Sequence, residues 1–155
     1  MPIKSMMVPL GDIDQDECAI GTALLLTQEF GGHVDCIFVS GDVSEIIPAG
    51  AMGLFESVQV QMNEEYDQGL GEKQTLARRR FEEMLAERNI EYRDSALPAE
   101  LSSASWEAVS GLASEIVAMR GAAYDMIVVS RPREDLTTVG ELAAEAALFR
   151  TGRPV

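Results

Sequence analysis

The sequence is poor in the residues that carry most catalytic and metal chemistry. Its 155 residues include one histidine and two cysteines, Cys18 and Cys36. Two cysteines without the paired spacing of a zinc site predict no disulfide scaffold, and they favour a reducing cytoplasm in which both are small buried apolar residues. His33 follows two glycines at a predicted strand start. A surface or capping role is expected for it, because no fixed partner for a general base is evident.

Basic residues are also scarce. The chain carries 12 basic and 26 acidic residues, a formal net charge of -14. Such a surface repels phosphate backbones and anionic lipid headgroups, which argues against nucleic-acid and membrane-surface binding. The sequence predicts no export signal, and no apolar run approaches the ~20 residues of a bilayer span. With 46% hydrophobic and 25% charged residues, we expect one globular domain over residues 1–155.

Several motifs of known chemistry are missing. The sequence has no G-x-x-x-x-G-K-S/T phosphate loop, no H-E-x-x-H and no G-x-S-x-G. Gly69 and Gly71 lie within a helical period and not after a strand, so they form no dinucleotide fingerprint. Most hydrolytic and metal-dependent chemistry therefore has no motif to support it.

The pattern that is present is an alternation of strands and helices. Apolar runs predict four strands, over residues 3–10, 33–40, 104–109 and 126–129. Helical periods predict helices that begin near residues 14, 55, 112 and 140. Alternation of this kind implies parallel pairing through right-handed crossovers, and therefore a doubly wound α/β sheet with helices on both faces.

Finer expectations concern single elements. Asp14 and Glu17 resemble a box that opens the first helix, with Asp16 adding charge that the helix dipole favours. The run 126–129 is the clearest strand and should be buried on both faces. Between the elements, the sequence predicts an irregular connection over residues 41–53 and at most a ragged strand within residues 90–103.

Ligands of doubly wound sheets bind beyond the carboxyl ends of the strands, here the loops after Leu10, Val39 and Val129. After the first strand, Asp12 and Asp14 offer carboxylates for a hydroxyl, an adenine amino group or a divalent ion, or for capping the next helix. After Val129, a loop with two arginines leads to a helix N-terminus that favours an anion. The alternative is that this loop is only solvated and binds no anion.

The ordered set of these segments resembles one known family. Residues 4–12 read K-S-M-M-V-P-L-G-D and resemble the opening strand of universal stress proteins, usually K-x-I-L-V-P-x-D-G-S. Residues 124–130, Y-D-M-I-V-V-S, resemble the A-D-x-I-V-x-G strand of that family. Residues 145–155 resemble its last helix and the entry to its fifth strand. Residues 104–120 are similar to a bacterial branch that often carries two such domains in tandem.

The resemblance implies a Rossmann-like sheet of five parallel strands, of the universal stress protein type, in which the fifth strand is truncated at Val155. A longer or tandem protein is therefore expected. The family is commonly dimeric through its last strand and is induced by starvation or other stress. A homodimer or a second tandem domain is the partner that this implies.

Family members that bind ATP use an aspartate after the first strand for adenine and a G-x2-G-x9-G-S/T loop for ribose and phosphates. This chain departs from both motifs. Gly11 stands at the aspartate position with Asp12 displaced by one, while Ser130 and Arg133 replace loop glycines. Six residues separate Arg133 from Gly140, which is followed by an acid. The implied binding residues are Pro9, Leu10, Gly11, Asp12, Val39, Ser130, Arg131, Arg133, Gly140 and Glu141.

These departures weaken nucleotide binding on physical grounds. Arginine at a glycine position puts a side chain where backbone must approach phosphate, and Glu141 adds negative charge there. We therefore expect a stress-response domain that binds a ligand or partner, such as a small anion near Arg131 and Arg133. We expect no catalytic residues, no cofactor and no metal, and we do not expect tight ATP binding.

Two other functions stay open at this point. An ATP-binding member with weak ATPase activity would use ATP or another adenine nucleotide, and needs a metal and a positioned water. A phosphoacceptor receiver domain would hold magnesium at Asp12 and Asp14. The receiver is disfavoured because Val109 and Ser110, and not aspartate, end the third strand.

Overall fold

The computed structural model describes residues 3–41, 56–94, 101–131 and 139–155. In the helix that begins at Glu56, side chains are described at Gly69 and from Gly71 onward. Residues 42–53 of the predicted connection and residues 95–100 of the stretch 90–103 lie outside the described residues. Between residues 90 and 102, the only strand in the described part of that stretch has two residues, Glu91–Tyr92, in agreement with the expectation of at most a ragged strand. Arg133 lies outside the described residues as well.

Strands and helices alternate along the chain as predicted, except where the two-residue strand Glu91–Tyr92 is followed in the described residues by another strand. The elements are β1 (Ser5–Leu10), α1 (Ile13–Phe30), β2 (His33–Ser40), α2 (Glu56–Arg88), β3 (Glu91–Tyr92), β4 (Ser103–Ser110), α3 (Ala113–Gly121), β5 (Met126–Ile127) and α4 (Val139–Arg150). β2 has the predicted bounds. α2 continues through Gly69 and Gly71, which confirms that these glycines lie within a helix.

The strands form one parallel sheet in the order β3-β4-β2-β1-β5. This confirms the α/β doubly wound parallel sheet. Because the chain passes from β4 on one side of β1 to β5 on the other, the strand order reverses at β1. The loops after β1 and β5 are consequently neighbours at the carboxyl edge of the sheet.

Alternating side chains of the strands build two separate apolar layers. In β1, Met6, Val8 and Leu10 pack on the side of α1 and α2, where Phe81 and Trp106 also lie. The Phe81 and Trp106 ring centroids are 5.4 Å apart. Met7 packs in the other layer, whose buried members are Ile37, Val39, Ala113, Val117, Ile127, Ala143, Ala146 and Ala147. Helices on both faces therefore follow from apolar residues on both faces.

The strand that looked clearest in sequence is one of the shortest in the structure. β5 pairs only Met126 and Ile127 with β1, and of the run 126–129 only Ile127 is fully buried. Both faces of the run are packed, with Met126 and Val128 against one apolar layer and Ile127 and Val129 in the other, but burial is incomplete because β5 lies at an edge of the described sheet, with a strand on one side only. On its other side, the Ile127 amide donates to the carbonyl of Pro154 at 2.9 Å. β5 is therefore the run predicted as the fourth strand, and residues 153–155, where the truncated fifth strand was expected, lie beside it without forming a strand.

The two cysteines differ in environment. Cys36 is buried, as expected, and burial raises the pKa of its thiol. Cys18 is exposed, which corrects the expectation that both are buried. The buried face of α1 runs through Ile13, Ile20 and Leu24, and the helical period puts residue 18 on the opposite side.

None of the described helices combines the length and the apolar character that crossing a bilayer requires.

Adjacent leucines on α1 test this assignment of faces. Leu24 is 0% exposed and Leu25 is 57% exposed. Leu24→Ala should lower the free energy of unfolding by about 2–5 kcal/mol, because it leaves a cavity in the core. Leu25→Ala should change it by less than about 0.5 kcal/mol. Urea titration followed by circular dichroism measures both, and equal losses would contradict the assignment.

Candidate functional site

The loop after β1 is held by the start of α1. Asp12 is the N-cap of the helix, and its Oδ1 accepts from the Asp14 amide at 3.1 Å. Its Oδ2 accepts from Lys73 Nζ of α2 at 3.2 Å. Of the two roles left open for Asp12, helix capping is therefore the one observed.

The helix opens differently from the predicted box of Asp14 and Glu17. It begins one residue before Asp14, so Asp16 is the acid that reaches back to the loop. Glu17 instead pairs with Arg80 of α2, with 2.6 Å between Oε1 and Nη2. The reason is geometric, because the acid that can reach back is set by the residue at which the helix begins.

Asp16 joins the loops at the carboxyl ends of β1 and β5. Its carboxylate is buried, with 3% of the residue exposed. Oδ2 accepts from the amides of Gly11 and Asp12 at 2.8 and 3.0 Å. Oδ1 accepts from the hydroxyl of Ser130 at 2.7 Å. Three donors satisfy the buried charge, as its burial requires.

Sequence reasoning assigned Asp16 only to the helix dipole and missed this role. A signal was present, since residue 16 falls on the same helical face as Ile13, Ile20 and Leu24. A carboxylate on an apolar face needs polar partners inside the protein. The identity of those partners depends on β5, which is far away in sequence.

Gly11 is enclosed by the first residue of α4. A Cβ atom added at Gly11 would lie 2.5 Å from the Cβ of Val139 and 2.8 Å from its Cγ1. Real Cβ contacts are not this short, so the position has no room for a side chain. The aspartate that the family resemblance places here therefore could not be accommodated beside Val139.

The remaining candidate residues are spread along the carboxyl edge. Pro9 and Leu10 are buried at the end of β1, and Val39 is buried in the layer of α3 and α4. Ser130 is partly buried and Arg131 is exposed. Gly140 and Glu141 are half-buried in the first turn of α4. The structure thus brings Gly11, Asp12 and Ser130 together through Asp16, whereas the Val39 side chain is used in packing.

His33 lies in a buried polar cluster at the opposite edge of the sheet. It is 3% exposed, and its Nε2 lies 3.0 Å from Asp35 Oδ1 while Nδ1 lies 2.8 Å from Ser103 Oγ. A carboxylate only accepts, so in the neutral ring Nε2 donates and Nδ1 accepts from the Ser103 hydroxyl. The expectation of a surface histidine without a fixed partner was wrong, because its partners are on its own strand and on β4.

This connectivity is that of a serine, histidine and aspartate relay, but its serine is inaccessible. Ser103 is 1% exposed and is the first residue of β4. Substrate cannot reach a hydroxyl in that position without opening the sheet, and a nucleophile must contact its substrate. The cluster therefore serves to join β2 and β4.

Asp35 is the common acceptor in this cluster. It also accepts from Ser105 of β4 and from Tyr124, which precedes β5. Burial raises the pKa of Asp35. The hydrogen bonds from His33, Ser105 and Tyr124 lower it, and their combined effect is larger than that of burial. The pKa of this carboxyl therefore lies below its ordinary 3.8.

In the parts of the chain that the structure describes, no three His, Cys, Asp or Glu side chains are grouped as metal ligands would be.

Solved structures share this fold. UspA from Lactobacillus plantarum matches 100% of this chain and 97% of its own length, with a TM-score of 0.66 and 12% identity. A universal stress protein in complex with cAMP matches 100% and 95% of the two chains, with a TM-score of 0.56 and 9% identity. A universal stress protein family member from Burkholderia pseudomallei matches 99% and 93%, with a TM-score of 0.51 and 15% identity.

The chain therefore has the universal stress protein fold, which confirms the fold type predicted from the sequence. At these identities the likeness concerns the fold alone. No protein-family model matches the chain, and no curated protein does so either.

The contact between Gly11 and Val139 can be tested with one methyl group. Gly11→Ala should lower the free energy of unfolding by about 1–3 kcal/mol through overpacking. Gly71→Ala is the matched control, because its added Cβ meets nothing within 4 Å and alanine stabilises a helix interior by up to about 1 kcal/mol. In a Val139→Gly background, Gly11→Ala should lower the free energy of unfolding by much less. An unchanged cost there would show that Val139 is not the obstacle.

Asp35 should contribute to stability in a pH-dependent way. Because its pKa is lowered on folding, ionised Asp35 stabilises the native state fully above the ordinary value of 3.8. That contribution is lost as the pH falls through the lower pKa of the folded protein. Asp35→Asn should therefore be less stable than the parent protein near neutrality, with a difference that shrinks in acid. Urea unfolding at a series of pH values measures the difference, and a constant offset would contradict this assignment.

Proposed function

We propose that this protein is a stress-response domain of the universal stress protein kind, which acts by binding a ligand or partner and does not bind ATP tightly. The observation that carries the proposal is the contact between Gly11 and Val139. It occupies the position at which the family resemblance places the adenine-binding aspartate. The universal stress protein fold supports the general role, and the geometry at the carboxyl edge of the sheet supports the restriction on ATP.

Neither Gly11 nor Asp12 offers an unoccupied carboxylate on the adenine side of the site. Gly11 has no side chain and no room for one beside Val139. The neighbouring Asp12 uses one oxygen for the Asp14 amide and the other for Lys73. An adenine amino group would have to share an Asp12 oxygen with the donor of the helix cap or with that of the ion pair, which weakens both contacts.

The phosphate side is unfavourable for a different reason. The hydroxyl of Ser130, at the first glycine position of the family loop, already donates to Asp16. Glu141 lies in the first turn of α4, where a phosphate would otherwise profit from the helix dipole. Arg131 is exposed and supports binding of a smaller anion, with Arg133 as its partner on the evidence of the sequence alone.

A binding role is favoured over catalysis by how the reactive side chains are used. Asp12 caps α1, and the Ser103 hydroxyl is buried in the sheet with His33. The likeness to a universal stress protein in complex with cAMP supports a small ligand as one possible occupant of the fold. A cytoplasmic setting and a homodimer or tandem partner remain predictions from the sequence.

Calorimetric titration tests the restriction on nucleotides. ATP with magnesium should give no binding in the low-micromolar range, because neither the adenine contact nor the phosphate loop of the family is complete. Titration of cAMP under the same conditions tests the smaller ligand. A low-micromolar dissociation constant for ATP would overturn the proposal and favour an ATP-binding member with weak ATPase activity.

A further inference from the structure

Asp16 does more than the proposed function requires of it. Both of its carboxylate oxygens are engaged, by two amides of the loop after β1 and by one hydroxyl after β5. The hydroxyl belongs to Ser130, which is 114 residues away in sequence. Since Asp16 is fixed on α1, it holds two separate loops of the candidate site against each other.

The donors around Asp16 are those that an external anion would use. Backbone amides at the start of a helix and a nearby hydroxyl favour negative charge. Here the protein supplies that charge itself. A phosphate group approaching the amides of Gly11 and Asp12 would be repelled by the Asp16 carboxylate and would have to take its donors away.

The turn that holds Asp16 carries further negative charge. Asp12 and Asp14 add two carboxylates in the same turn, and the Lys73 ammonium that approaches them is paired with Asp12. The carboxyl edge beside β1 is therefore an acidic surface around a buried acid. Solvent screens the exposed Asp14 charge more than the buried Asp16 charge, so the repulsion of a group at these amides comes mainly from Asp16.

We propose that Asp16 is an internal anion that latches the loop after β5 to the loop after β1 and so excludes phosphate groups from the amides of Gly11 and Asp12. The inference rests on the proposed function, because it explains why a fold of this type would bind ATP weakly. It assigns to Asp16 a role in ligand selection that goes beyond its hydrogen bonds to the loop after β1.

Titration of ATP with magnesium into Asp16→Asn tests the exclusion. This variant keeps the size of the side chain and removes its charge, and ATP should bind at least about tenfold more tightly, the factor typical of a charge-assisted hydrogen bond. Asp14→Asn is the matched control, because it removes an exposed charge from the same turn. It should leave the ATP affinity of the parent protein unchanged.

The outcomes separate the two proposals. Tight binding by the parent protein contradicts the proposed function itself. Weak binding by the parent protein and by Asp16→Asn alike leaves the proposed function intact and overturns the exclusion. Equal gains in Asp16→Asn and Asp14→Asn would show a general charge effect and would also overturn it.

Ser130→Ala tests the latch without changing the carboxylate, should Asp16→Asn not fold. Loss of the hydroxyl should lower the backbone order parameters measured by nitrogen-15 relaxation at residues 129–131. Ser102→Ala is the control, because its hydroxyl donates to the Thr27 carbonyl at 2.9 Å instead. It should not change them, and unchanged order parameters in Ser130→Ala would overturn the latch.

Discussion

Burial of β1 on both of its faces is the constraint on which the rest of the structure depends. From Met6 to Leu10 every residue of the strand is buried, with alternate side chains in the two apolar layers. Burying one large apolar side chain stabilises a fold by about 1.5–3 kcal/mol. A slip of one residue would exchange the two faces, so this strand fixes the register of β2 and β5 and the place where its own loop leaves the sheet.

The candidate site follows from that placement. Because the strand order reverses at β1, the loops after β1 and β5 meet at one edge, where doubly wound sheets bind ligands. In this chain the protein's own side chains lie at that edge. Val139 packs against Gly11, and Asp16 connects the two loops by hydrogen bonds. The edge at which doubly wound sheets bind ligands is thus partly occupied here by the protein's own side chains.

The opposite edge of the sheet is held by polar contacts of another kind. His33, Asp35 and Ser103 connect β2 to β4, and the Asp125 carboxylate accepts from the amides of Lys4 and Ser5. These contacts position the strand starts, whereas ligand selection is proposed at the strand ends. Buried hydrogen bonds of this sort are costly to leave half-made, so they specify which strands are neighbours.

Periodicity along the sequence determined the fold class, because apolar residues repeat with the period of the element they form. It predicted β2 with its observed bounds, and it predicted a parallel sheet with helices packed on both faces. The tertiary structure alone decided the length of β5, the burial of His33 and the partners of Asp16. Each of these depends on which segment lies alongside, and a contact such as that between Asp16 and Ser130 is made by residues distant in the chain, whose meeting no local pattern encodes.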